Sequence, residues 1–278
     1  MLVASLYRDT RRQMAVRTYS LSHNPPVPET VAVIDFETTG MSPAMGARAT
    51  EVAAVLVHGG EIVGRFQSLM KSGAWVPPFI EQLTGISNAM LERAPPARAV
   101  MHELLRFTQG VPLVAHNAAF DRGFWQAETE RAQCEPGEAH RFACTLLLSR
   151  RLHPEAPNHR LGTLRAWHAL PDAGRAHRAL ADAETTAHLF IRQQRDAAAR
   201  FAATLDGRTL GHELLLVLQK ASRARLGERL ARHLESVRRA WGHHEVKPVA
   251  GSLPSPGNPC AQWLEPGRAA APEAMPAR

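Results

Sequence analysis

A chain of 278 residues with 45% hydrophobic content can bury a sizeable core, and its formal net charge of +7 suits a polyanionic partner. It holds no run of about 18 apolar residues, so no membrane span is expected, and its N-terminus lacks the apolar stretch of a secretory signal. Three cysteines, Cys134, Cys144 and Cys260, form neither a disulfide framework nor a zinc pattern, which makes a reducing, cytoplasmic setting the default.

Residues 1–29 read as an extended arm, because "SHNPPVPET" places three prolines in nine residues. "VAVIDFE" then reads as a central strand. "ATEVAAVLVHGGEIVGRFQSLM" reads as two strands turning at Gly59-Gly60. Two short helices follow, "PPFIEQLTGI" and "NAMLERAP". Residues 98–109 carry Val100, Leu104, Leu105 and Thr108 at helical spacing. "VPLVAH" is a short strand, "AAFDRGFWQAETERA" a helix and "RFACTLLLSR" a strand running into a helix. "LGTLRAWHAL" and "ALADAETTAHLFIRQQRDAAA" are helices. Strands first, then strands alternating with helices, predict a mixed α/β sheet with helices on its faces.

Beyond 200 the grammar changes. Leu210, Leu214, Val217 and Ala221 form one apolar stripe and Leu226, Leu230, Leu234, Val237 and Trp241 another, with a phase slip near Gly227. That pattern predicts two helices or one broken helix. Residues 201–244 hold eight basic against four acidic side chains, so the segment is basic. Its stripes suit either packing against the main domain or docking on a partner such as a polymerase. Residues 245–278 are rich in Pro, Ala and Gly and read as a disordered tail.

Chemistry concentrates at three places. In "VIDFETTG", Asp35 and Glu37 stand two apart on a strand and so share one face. In "VAHNAAFD", His116 and Asn117 follow a short strand and Asp121 falls in the first turn of the next helix. In "HRALADA", His177 precedes the last long helix and Asp182 lies in its early turns. Ligands of α/β sheets gather beyond the carboxyl ends of strands. Four carboxylates meeting there are unfavourable without cations. All-oxygen ligation suits Mg²⁺ or Mn²⁺, and two such ions can clamp the attacking and leaving oxygens of a phosphoryl displacement. Histidine changes charge near neutrality, so His177 can take a proton from the attacking water.

"DFETTG", "HNAAFD" and "HRALADA" resemble the three motifs of the DnaQ-like (DEDDh) 3′–5′ exonucleases, the family of the bacterial DNA polymerase III proofreading subunit. "ATEVAAV" and "LTGIS" join the resemblance, which spans about residues 30–195. It implies a ribonuclease H-like mixed five-stranded sheet flanked by helices, and release of 5′-mononucleotides from a 3′ end. It implies metal ligation by Asp35, Glu37, Asp121 and Asp182 and a general base at His177, and places Thr38, Thr39, His116, Asn117 and Phe120 along the substrate. The expected layout is an arm over 1–29, an exonuclease domain over 30–199, a basic helical segment over 200–244 and a tail over 245–278. Asp35, Glu37 and Asp182 are expected to hold one ion, and Asp35 and Asp121 the other. Single-stranded DNA is the favoured substrate and RNA the rival. Trp75, Trp125 and Trp167 read as core or edge packing in preference to base-stacking platforms, and Glu51, near the site by the family resemblance, reads plainly as a strand residue facing solvent.

Overall fold

The structure is a computed structural model and describes residues 29–134 and 141–242. The extended arm expected before residue 29 and the tail expected after 244 lie outside the described residues. Five strands form one sheet: β1 (Thr30–Thr38), β2 (Ala49–His58), β3 (Glu61–Leu69), β4 (Leu113–Ala115) and β5 (Phe142–Cys144). Their spatial order is β3-β2-β1-β4-β5. β1 and β3 pair antiparallel to β2, whereas β1, β4 and β5 run parallel. This is the ribonuclease H-like mixed sheet that the motifs implied.

The hairpin between β2 and β3 turns where expected. Gly59 and Gly60 both have positive φ, 60° and 85°, the requirement of a two-residue turn whose twist matches its strands. β2 is buried along nearly its whole length, as a strand covered on both faces must be. β3 alternates exposed and half-buried residues and forms one margin of the sheet.

Helices α1 (Pro78–Thr84), α2 (Asn88–Glu92), α3 (Ala97–Phe107), α4 (Ala119–Arg131), α5 (Thr145–Leu152), α6 (Leu161–Trp167) and α7 (Ala179–Arg200) follow in chain order. On one face of the sheet, Val31, Val33, Ala53, Val55 and Val57 pack in one core with Ala179, Ala183, Ala187 and Phe190 of α7. Three alanines four residues apart lie along one side of that helix and let its axis come close to β1 and β2. The opposite face buries Ile34, Phe36, Val52 and Ala54 with Met101 and Leu104 of α3 and Phe124 and Trp125 of α4.

The chain then continues through α8 (Ala202–Leu205), α9 (His212–Lys220) and α10 (Leu226–Gly242). The break between the last two falls at a short 3₁₀ turn, Arg223–Arg225, and Gly227 lies inside α10. Leu210, Leu214, Leu215, Leu218, Leu226 and Leu230 join the same core as the α7 face of the sheet. Val237, further along α10, is 40% exposed. The side-chain amide of Gln219 meets the outer margin of β5: Cys144 N–H donates to its Oε1 at 2.6 Å, and its Nε2 donates to Phe142 O at 3.1 Å. His212 reaches Leu113 O through Nε2 at 3.0 Å, and its backbone N–H donates to Glu29 Oε2 at 2.7 Å. The packing alternative for the stripes accounts for those buried leucines.

Trp125 is in the core, and Trp167 stacks edge-on with His153 and His168 at 5.6 and 4.4 Å. Trp75 corrects the sequence reading. It is 64% exposed, in the irregular stretch before α1, where no strand or helix period turns it inward. Among the described residues no helix is long and apolar enough to cross a membrane.

Candidate active site at the carboxyl end of the sheet

β1 and β4 run parallel, so their carboxyl ends open on the same side of the molecule. Asp35 and Glu37 share a strand face with Val31 and Val33, the face covered by α7. α7 starts at that end and brings Asp182 in its first turn. α4 starts just after β4 and brings Asp121 in its first turn. Asp121 is 2% exposed, and its Oδ1 accepts the Phe36 backbone N–H at 3.1 Å.

One ligand atom from each of Glu37, His177 and Asp182 lies within 4.8 Å of the others. His177 sits just ahead of α7, at φ 60°, with its side chain exposed. Its backbone N–H donates to Asp182 Oδ2 at 2.8 Å, so histidine and helix are joined locally as well as brought together by the fold.

The electrostatics fit cations. Burial first, then the charges of Asp121, Glu37, Asp182 and Glu51, hold the Asp35 carboxyl well above the usual carboxylate range. Burial and then Asp182 and Glu51 push Glu37 up to about 8, with Arg178 pulling the other way. Burial lifts Asp121 to about 7 against the Phe36 hydrogen bond. Burial also raises Asp182, opposed by the N–H and charge of His177. Acids raised in this way keep their protons because ionising side by side is unfavourable, and divalent cations would relieve that repulsion.

The remaining expected residues surround this point in different ways. Thr38 Oγ1 donates to Gly40 O at 2.7 Å, and Thr39 Oγ1 accepts from Arg48 N–H at 3.0 Å, so both hydroxyls shape the turn after β1. Asn117 is exposed with φ 58°, and Phe120 packs on Phe124 with ring centroids 5.0 Å apart. His116 is turned inward. Its Nδ1 meets Thr145 Oγ1 at 2.9 Å and its Nε2 meets His159 O at 3.1 Å, and burial lowers it to about 4. Both ring nitrogens are thus engaged by protein.

The burial of two acids was not foreseen from the sequence. Glu51 corrects the expectation of a solvent-facing residue: it is 1% exposed, opposite Glu37 across the β1–β2 ladder, and paired with Arg178. Its signal was a lone charge in the apolar run "ATEVAAV", on a strand with no solvent face to use. Glu128 is likewise 1% exposed and takes a two-pronged contact from Arg48, Nε at 2.8 Å and Nη2 at 2.9 Å, which anchors the turn after β1 to α4.

The model of a family described as Exonuclease (RNase_T) matches residues 32–190. The chain is 38% identical over 159 residues to the 3′-5′ exonuclease DinG of Bacillus subtilis (strain 168), a match covering 57% of this chain and 17% of that protein. It is 37% identical over 180 residues to a DNA polymerase III PolC-type of the same organism, covering 65% of this chain and 12% of that one. The chain thus spans less than a fifth of the length of these two curated relatives. Among solved structures, the nuclease domain of 3′hExo, a DEDDh family member bound to rAMP, matches with a TM-score of 0.53 and 19% identity, covering 61% of this chain and 93% of that one. Exonuclease I matches with a TM-score of 0.56 and 19% identity, covering 68% and 46%. These two likenesses speak for the fold, the family match takes in every one of the clustered acids and His177, and on that footing the chain belongs to the Exonuclease (RNase_T) family.

Proposed function

We propose that the protein is a metal-dependent 3′–5′ exonuclease that removes 5′-mononucleotides from single-stranded DNA. The observation that carries this reading is the meeting of Glu37, His177 and Asp182 within 4.8 Å, beside the half-buried Asp35 and the buried Asp121. Asp35, Glu37, Asp121 and Asp182 are the ligands of two divalent cations, Mg²⁺ or Mn²⁺. When bound, such ions neutralise charge on the attacking and leaving oxygens of a phosphoryl displacement. His177, exposed at the rim, takes the proton from the attacking water. The new bond joins water oxygen to phosphorus, and the bond from phosphorus to the 3′ oxygen breaks, leaving a 3′-hydroxyl on the shortened strand.

DNA is favoured over RNA because one relative, at 37% identity, is a DNA polymerase III PolC-type, beside a 3′-5′ exonuclease DinG at 38%. The first of these also supports a proofreading or repair setting and association with a polymerase. Incubation with end-labelled single-stranded, duplex and mismatched DNA and with RNA, in Mg²⁺, tests the reading. The expected result is stepwise shortening from the 3′ end, fastest on single-stranded DNA. Internal cuts, or no hydrolysis of any polymer, would refute it.

A further inference from the structure

The start of α7 is fastened to β2 by one ion pair. Four donors converge on the two oxygens of Glu51. Arg178 gives Nη2 to Oε1 at 2.7 Å and Nε to Oε2 at 3.1 Å, the Ala179 N–H reaches Oε2 at 3.0 Å, and Gln67 Nε2 reaches Oε1 at 2.7 Å. A guanidinium fork on a carboxylate fixes orientation as well as distance. A carboxylate that is 1% exposed and accepts from three different residues is a rigid anchor.

Arg178 directly follows His177. With φ at 60°, His177 occupies the left-handed region, which a β-carbon disfavours and which persists only where the surroundings over-determine it. Here they do so at three consecutive residues. The N–H of His177 is held by Asp182, and Arg178 and Ala179 are held by Glu51. The imidazole itself has no such restraint in the described contacts and stands exposed at the rim. Its direction is therefore set by the backbone beneath it. The pair also has an electrostatic side, since Glu51 adds a fifth negative charge beside the quartet and Arg178 offsets it.

We propose that Glu51 and Arg178 are positioning residues that hold the His177 turn against β2, so that the imidazole addresses the same point as Glu37 and Asp182. The inference rests on the reading of His177 as proton acceptor. In this role Glu51 and Arg178 act through His177 and not on the reacting atoms.

A double-mutant cycle with His177 tests this in the full chain, by single-turnover hydrolysis of end-labelled single-stranded DNA in saturating Mg²⁺. Arg178→Lys keeps the charge and loses the fork. It should slow the reaction by about 10–100-fold through misplacement of the imidazole, with KM and Mn²⁺ affinity unchanged. In the His177→Ala background the same substitution should cost about twofold or less, because no imidazole remains to be placed. Glu51→Gln keeps the shape and an acceptor for Ala179, and should show the same non-additivity with a smaller loss. Losses that multiply in the double variants, or a change in KM alone, overturn the inference. Melting curves identify any variant that unfolds, and if Arg178→Lys does, Glu51→Gln carries the test. An inactive wild-type protein would instead refute the nuclease reading, so the two failures are distinct.

Discussion

The carboxylate of Asp121 accepts the backbone N–H of Phe36 at 3.1 Å, between the two acids of β1. β4 pairs with β1 only at Ala32 and Val33, and Ala32 N–H is taken by Pro112 O at 2.9 Å. Two residues pairs further on, the N–H of Phe36 points the same way with no strand left to receive it. Asp121 supplies the missing acceptor and in doing so brings its charge to Asp35. Asn keeps an oxygen for that bond, so Asp121→Asn should fold with a melting point near or above that of the wild type. Its hydrolysis should fall by about 10³-fold or more, the several kcal/mol that a lost metal ligand represents. Asp121→Ala also strands the N–H and should lose about 1–3 kcal/mol of stability. Denaturant melts alongside rate measurements check both, and an active Asp121→Asn would end its assignment as a ligand.

His177→Ala should slow hydrolysis by about 10²–10⁴-fold, the usual contribution of a positioned base. Mn²⁺ affinity, measured by calorimetry, should be retained, since the four carboxylates remain. His177 lies within ligand distance of Glu37 and Asp182, so abolished metal binding would make it a ligand and not a base.

Without metal, the site should make stability fall as pH rises. Glu37 is pushed up to about 8 and Asp121 to about 7, and Asp35 and Asp182 are also raised. Unfolded, such acids titrate near pH 4. Between about pH 4 and about pH 8 the folded chain binds more protons than the unfolded one, so the free energy of unfolding declines across that window. The stabilisation is fully present below the unfolded values and is gone once pH passes the folded ones. In EDTA the melting point should drop from about pH 5 to about pH 8, and Mg²⁺ or Mn²⁺ should recover it more at the higher pH. Asp35→Asn should flatten the trend. A metal-free melting point that rises over this range contradicts the crowding of the acids.

Removal of residues 201–278 should yield an insoluble protein. Leu214, Leu215, Leu218, Leu226 and Leu230 belong to the core that covers the α7 face. Leu215→Ala alone, at a site with no exposure, should cost about 2–5 kcal/mol. A soluble truncation with full activity would show that α9 and α10 serve recruitment and leave the core intact without them.

What could be read in the sequence was whatever local geometry dictates. Asp35 and Glu37 share a face because strands alternate, and Gly59-Gly60 turns because two positive φ values demand glycine. The mixed five-stranded sheet followed from the family motifs, and the early helices from helical spacing. Glu51 was misread because its partner Arg178 lies 127 positions away, in a loop that carries no period of its own. The inward turn of His116 depends on Thr145 and on the carbonyl of His159, which only the folded chain brings near. Trp75 stands in a stretch without strand or helix, where alternation gives no guide to exposure.

The amide of Gln219 has a consequence for how this molecule meets others. By giving β5 both a donor and an acceptor, it answers the groups that an additional strand would seek. An unpaired strand margin invites chain-to-chain ladder formation and, with it, aggregation. Among the described residues the parallel side of the sheet is thus closed to such growth, and β3 forms the opposite margin, where a neighbouring chain could be added in register.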